Sequence, residues 1–187
     1  MSDIGSGEPW ELERPHGHFY AHGADFALRT LGDRRSRCLV IGSPLFEARE
    51  LRAAGWDVTY LDIRKPPVEI GWVEGDATAI PFPSAYFDAI SSSCVVCHVG
   101  LGRYGDPVAD GSDARMLTEI ARVLKRGGRA AITFGPIGEK DEVSGISHRL
   151  YTLAGARKLL PPELEEVEHE VLTGGERGYL SMLLRRI

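Results

Sequence analysis

Short unbroken apolar runs alternate along this chain with stretches whose apolar residues recur every three or four positions. Cys38 to Ile41 is one such run, ending in Gly42-Ser43-Pro44, and it predicts a strand followed by a tight turn. Leu45, Ala48 and Leu51 then share one face of a helix that Gly55 breaks, and Val58 to Ile63 is a second strand, closing on Asp62. After a proline-bearing loop over 64–70, Gly71 to Glu74 predicts a short third strand and Phe87 to Cys94 a fourth. Ser112 caps a helix that runs through about Arg126, with Leu117, Ile120, Ala121 and Leu124 on one face. Lys125 and Arg126 suit its C-terminus, and Gly127-Gly128 is its stop. Arg129 to Phe134 is a fifth strand, and a helix around Thr152 to Leu160 ends at Pro161-Pro162. Two late strands, about Leu164 to Leu172 and Tyr179 to Arg186, flank the turn Thr173 to Glu176. Upstream, Ala21 to Leu31 reads as a helix stopped by Gly32, so the chain divides into a mobile segment over 1–20 and a single domain over 21–187.

Seven strands with interleaved helices predict an α/β fold. It is Rossmann-like and doubly wound, with a mostly parallel seven-stranded sheet, helices on both faces and one antiparallel strand near the C-terminus. Ligands of such sheets bind beyond the carboxyl ends of the strands, where the strand order reverses between strands one and four. Gly42, Asp62, Asp76 and the segment Cys94 to His98 converge on that edge. Asp62 lies twenty residues after Gly42. In a βαβ unit such a pair holds a nucleoside: the glycine admits the ligand to the backbone, and the carboxylate accepts hydrogen bonds from ribose hydroxyls.

Composition narrows the function. Of 187 residues, 43% are hydrophobic and 26% charged, as in a soluble globular domain. A net charge of −5 gives no electrostatic footprint for nucleic acid and disfavours an anionic membrane. The first 30 residues hold no apolar signal core, and no run approaches the ~20 apolar residues of a membrane span. Three cysteines on apolar strands suit reduced thiols in a cytoplasmic protein. Of the three histidines at His16, His18 and His22, none has a cysteine or carboxylate at helical ligand spacing. They read as surface or packing residues rather than a metal site, with Tyr20 or His22 placed to reach the mouth of the site. Cys94-x-x-Cys97 has no second cysteine pair and reads as small buried hydrophobes rather than a zinc or redox centre.

Four stretches together resemble the class I S-adenosylmethionine-dependent methyltransferases: VIGS at 40–43, YLDI at 60–63, EGDATAIPFPSAYFDAI at 74–90 and RVLKRGGRAAITF at 122–134. The resemblance covers about residues 37–187. The loop HVGLGRYGDP at 98–107 and the later SHRLY at 147–151 also resemble a narrower group that carries this loop after strand four. The resemblance implies S-adenosylmethionine as cofactor. Gly42 and Ser43 would lie against its methionine part, Asp62 would hold the ribose hydroxyls, and Ile63 would pack on the adenine. Asp76 would bond the adenine amino group, Ala77 would offer a backbone amide, and Cys94 would contact the middle of the molecule. The turn departs from the superfamily, whose first motif carries three glycines: here a single glycine precedes Pro44, Leu45 and Phe46.

Methyl transfer from a sulfonium asks the protein to align the reactants and to accept a proton. His98 opens the glycine-rich loop and is the candidate base, while Arg103 would pair with a carboxylate or phosphate. Tyr104, Asp106 and His148 complete the candidates, with Arg149 beside them; in the competing reading GRYGDP is a self-contained turn in which Asp106 makes the bend. The expected activity is methylation of a small polar acceptor, such as a sugar or carboxylated metabolite. A second copy or a partner subunit would close the site. Two alternatives stay open: an inactive binding or scaffold protein that keeps the fold, and a nicotinamide-dependent enzyme that shares the Asp62 arrangement.

Overall fold

The computed structural model describes residues 19–32, 36–67, 70–144, 148–173 and 178–187. Its elements are α1 (Phe19–Leu31), β1 (Arg37–Ile41), α2 (Leu45–Ala53), β2 (Asp57–Asp62), β3 (Trp72–Glu74), β4 (Phe87–Ser93), α3 (Ser112–Val123) and β5 (Leu124–Pro136). There follow β6 (Glu142–Ser144), β7 (His148–Leu150), α4 (Leu153–Lys158), β8 (Leu164–Thr173) and β9 (Gly178–Arg186). Seven strands form one sheet in the order β3-β2-β1-β4-β5-β9-β8. β1 to β5 pair in parallel, and β9 is antiparallel to both of its neighbours. This is the expected doubly wound sheet with one reversed strand.

The period of two along the strands divides the core into two layers. Leu39, Ile41, Ile90, Ile132 and Phe134 face one layer, together with Met116, Leu117 and Ile120 of α3 and Ala156 of α4. Cys38, Val40, Tyr60 and Ala89 face the other, with Phe26 and Leu31 of α1 and Leu45, Ala48 and Leu51 of α2. Helices therefore cover both faces, and β1 is buried on each side. Among the described residues no helix is long and apolar enough to cross a membrane.

Several boundaries differ from expectation. The first helix begins at Phe19 rather than at Ala21; residues 1–18, with His16 and His18, lie outside the described residues, as do 174–177 of the last turn. Gly111 rather than Ser112 occupies the cap position of α3, and the Ser112 hydroxyl donates to Ala109 O at 2.8 Å. α3 stops at Val123, before the glycine pair, because Leu124 is already extended, fully buried and paired with Phe87 of β4. Lys125 consequently leaves the helix end and binds Asp88 at 2.8 Å. The stretch after β5, given no element from the sequence, contains the antiparallel pair β6–β7, whose strands are only three residues each. The connection from β3 to β4 passes over the sheet without a helix, seated by Ile80, Phe82 and Tyr86.

α1 lies close over the tips of β4 and β5. A Cβ on Gly23 would stand 2.6 Å from Ser93 Oγ and 3.1 Å from Thr133 Oγ1. Gly23→Ala gains about 1 kcal/mol of helix propensity but overpacks this contact. The variant should be less stable than the parent by about 1–3 kcal/mol in urea unfolding. Equal stability would show that α1 is not seated there.

Candidate functional site

The carboxyl edge of β1, β2 and β4 is where the sheet order reverses, and the candidate residues gather along it. Gly42 ends β1 in the left-handed region, with φ of 56°, and its N–H donates to Leu61 O at 2.8 Å. A Cβ there would stand 2.9 Å from Val95 Cγ2, so the space above the glycine is filled by Val95. Sequence reading gave that space to a ligand. Ser43 is fully buried. Its hydroxyl donates to Ile41 O at 3.3 Å and accepts the Ser93 N–H at 2.8 Å, while its carbonyl accepts the Tyr60 hydroxyl at 2.6 Å. The turn is thus engaged with the sheet below it, and Ser43 offers no side-chain contact toward solvent.

The other half of the edge is open in a specific way. Asp62 is 6% exposed at the tip of β2. Its Oδ1 accepts from Arg64 N–H at 2.8 Å and Arg64 Nε at 3.3 Å. Oδ2 has no hydrogen-bond partner among the described residues, although a buried carboxylate oxygen is costly to leave unbonded. Trp72 Nε1 donates to Asp62 O at 3.2 Å and fixes the strand tip. Ile63, half-buried, follows. Asp76 uses Oδ1 for the N–H and hydroxyl of Thr78, at 2.7 and 2.8 Å, beside buried Ala77.

Beyond β4 the chain turns sharply through Cys94, whose φ is 59° and whose N–H donates to Thr133 O. Burial pushes the thiols of Cys94 and Cys97 up, that of Cys97 to about 12, so both are protonated and unsuited to attack or to metal ligation. Among the described residues no cluster of three or more His, Cys, Asp or Glu could hold a metal. The His98 ring lies edge-on to Tyr104 at 5.7 Å and to His148 at 6.3 Å between centroids. Arg64 stacks over the Tyr104 ring at 4.3 Å, with Arg103 at 5.3 Å. Tyr20 of α1 is part of this neighbourhood, and burial, reinforced by Cys94 and Tyr104, holds its hydroxyl protonated. His22, also on α1, is half-buried.

Two residues of this region shape it instead of facing a ligand. Asp106 accepts the backbone N–H groups of Gly100, Gly102 and Tyr104, at 2.6, 3.3 and 3.2 Å, and so folds the loop on itself. Arg149 donates to Val99 O at 2.6 Å and pairs with Asp113 of α3 at 3.5 Å. Tyr151 joins the same clamp through Asp113 and Val96 O, both at 3.2 Å. Sequence reading gave no sign of the Asp113–Arg149–Tyr151 clamp. Beside it, between the loop, α4 and the β6–β7 hairpin, is a cavity of about 410 Å³ lined by Leu101, Val108, Val143 and Leu159 among others.

Sequence reading also passed over Glu47. It is fully buried in the first turn of α2, and its carboxylate oxygens accept the hydroxyls of Ser91 at 2.5 Å and Ser93 at 2.6 Å. Ser43 is a third hydroxyl within its reach. Desolvation raises the Glu47 pKa against the opposing pull of these hydroxyls. Among the described residues, the titratable groups around it are Cys38, Tyr60, Cys94 and Glu50, none of them a cation.

Residues 42–132 match the family model described as "Methyltransferase domain". Of curated proteins, the biotin biosynthesis bifunctional protein BioHC of Cellvibrio japonicus is 35% identical over 113 residues; the match spans 54% of this chain and 20% of that protein. The chain therefore corresponds to only a fifth of that relative's length. Of solved structures, the 1,6-didemethyltoxoflavin-N1-methyltransferase of Burkholderia thailandensis, with bound S-adenosylhomocysteine, superposes with a TM-score of 0.74 at 17% identity. It matches 91% of this chain and 79% of that one. The PH0226 protein of Pyrococcus horikoshii gives a TM-score of 0.70 at 15% identity, over 95% and 94% of the two chains.

A carboxyl whose native pKa is raised keeps a proton that the unfolded chain releases at the ordinary value. Stability therefore falls as pH rises from the ordinary glutamate range toward the raised one. Glu47→Gln removes that slope. In urea unfolding, E47Q should match the parent at about pH 4 and exceed it at about pH 8; parallel pH profiles would contradict the assignment.

Proposed function

We propose that the chain is a class I S-adenosylmethionine-dependent methyltransferase that transfers a methyl group from S-adenosylmethionine to a small polar acceptor, such as a sugar or carboxylated metabolite, a reading supported by the methyltransferase-domain match over 42–132 and the shared fold. One observation carries the reading: Asp62 Oδ2, buried and without a hydrogen-bond partner among the described residues, stands at the strand tip where a ribose hydroxyl would donate to it. Ile63 would flank the adenine, and Asp76 with Ala77 would bond its polar edge. The nucleoside half of the site fits the cofactor. The turn fits it less closely, since the Gly42 N–H is already bonded, Pro44 has none to offer and Val95 lies on the glycine. Gly42 and Ser43 therefore act as a floor, with Cys94 at its border.

When bound, the cofactor supplies an electrophilic methyl group; the protein supplies alignment and a proton acceptor. His98, half-buried and oriented between Tyr104 and His148, is the group we assign to accept the acceptor's proton. Arg103 at the exposed rim would hold an anionic acceptor group, and Tyr104 and Tyr20 would wall the pocket. Asp106 keeps this loop in shape. The sealed turn favours one competing reading, a protein that binds the nucleoside and has lost transfer.

Calorimetric titration with S-adenosylhomocysteine tests the proposal. Wild type should bind, and Asp62→Ala should weaken binding by about 10- to 100-fold, the range expected for a charged hydrogen bond. No binding by folded wild type would overturn the assignment. Binding without methyl transfer to any sugar or carboxylated acceptor would favour the competing reading.

A further inference from the structure

Glu47 belongs to none of the roles above, yet it lies directly beneath the turn whose glycines are missing. Two hydrogen bonds join it to the serines of β4, and two more join those serines to β1 and its turn. Its carboxyl takes the Ser93 hydroxyl at 2.6 Å, and the Ser93 N–H donates to Ser43 Oγ at 2.8 Å. The Ser91 hydroxyl holds the other carboxyl oxygen at 2.5 Å. Ser92, between them, donates to Ile41 O at 3.2 Å. The chain then passes from Ser93 into the strained Cys94 and on to Val95, which rests on Gly42. A displacement at Ser93 therefore moves both sides of the cleft floor together, the turn after β1 and the bend after β4.

We propose that Glu47 positions the turn over 42–44 against the tip of β4, in place of the absent glycines, and thereby sets how tightly the site holds the end of its cofactor remote from the nucleoside. The inference rests on the cofactor reading given above. It separates the two ends of the site by the elements that carry them. Asp62 and Asp76 hang on β2 and on the segment after β3, and no hydrogen bond of the Glu47 cluster reaches them among the described residues. The turn and the β4 bend hang on Glu47. Loss of its carboxyl strands the buried hydroxyls of Ser91 and Ser93, whereas an amide in its place still offers an acceptor and donors.

The test compares Glu47→Leu and Glu47→Gln with wild type by calorimetry, using S-adenosylhomocysteine and, separately, adenosine, which lacks the amino-acid end. Amide exchange at Ser93 and Cys94 is followed in parallel without ligand. E47L should bind S-adenosylhomocysteine on the order of tenfold more weakly, with adenosine affinity changed by less than about twofold. E47Q should resemble wild type, and exchange at Ser93 should accelerate in E47L alone. Equal losses for both ligands, or unchanged binding and exchange, would overturn the inference. If E47L does not fold, Ser93→Ala removes one contact of the cluster and should give the same split between ligands. A wild type that binds neither ligand, with exchange still accelerated in E47L, would overturn the cofactor reading and uphold the brace.

Discussion

The candidate site depends on a buried carboxyl that, among the described residues, no cation pairs with. Glu47 is fully buried between α2 and the sheet, and among the described residues it is hydroxyls that meet its oxygens. Burial there raises its pKa, against the hydroxyls of Ser43, Ser91 and Ser93, which favour the ionised form. This cluster joins β1, β4 and α2 at the one place where the chain must leave the sheet twice, at Gly42 and at Cys94. A glycine-rich turn would be defined by close approach of a ligand to bare backbone. Here the turn is defined from below, by side chains, and Val95 covers it from above.

The two halves of the edge consequently differ in character. Around Asp62 the backbone is fixed by Trp72 and by Arg64, and one carboxylate oxygen has no hydrogen-bond partner among the described residues. Arg64 also reaches the Tyr104 ring, which ties the tip of β2 to the loop over 98–107. That loop keeps its form through Asp106 and its attachment to α3 through Arg149, Asp113 and Tyr151. His98 and His148 meet near Tyr104 because these separate anchors hold the two loops side by side.

Much of this was legible in the sequence. The strands follow from unbroken apolar runs, buried on both faces in β1, and the convergence of Gly42, Asp62, Asp76 and Cys94 follows from strand ends in a doubly wound sheet. Other features have no local signal. Glu47 stands in a helix where a carboxylate normally faces water, and its partners lie 44 and 46 residues away. The serines of β4 carry no sequence signal of the carboxyl they bind. Asp106 has the composition of a ligand contact, and only the loop's closure shows its oxygens facing backbone amides. The end of α3 was misplaced because burial of Leu124 and its pairing with Phe87 act before the glycine pair is reached.

The most direct measurement of the central claim is the infrared spectrum of the folded protein followed with pH from about 4 upward, taken as a difference against E47Q. A protonated carboxyl band that is missing from the variant and outlasts the ordinary glutamate range is the predicted result. A band lost within that range, as an exposed glutamate's would be, would contradict the account.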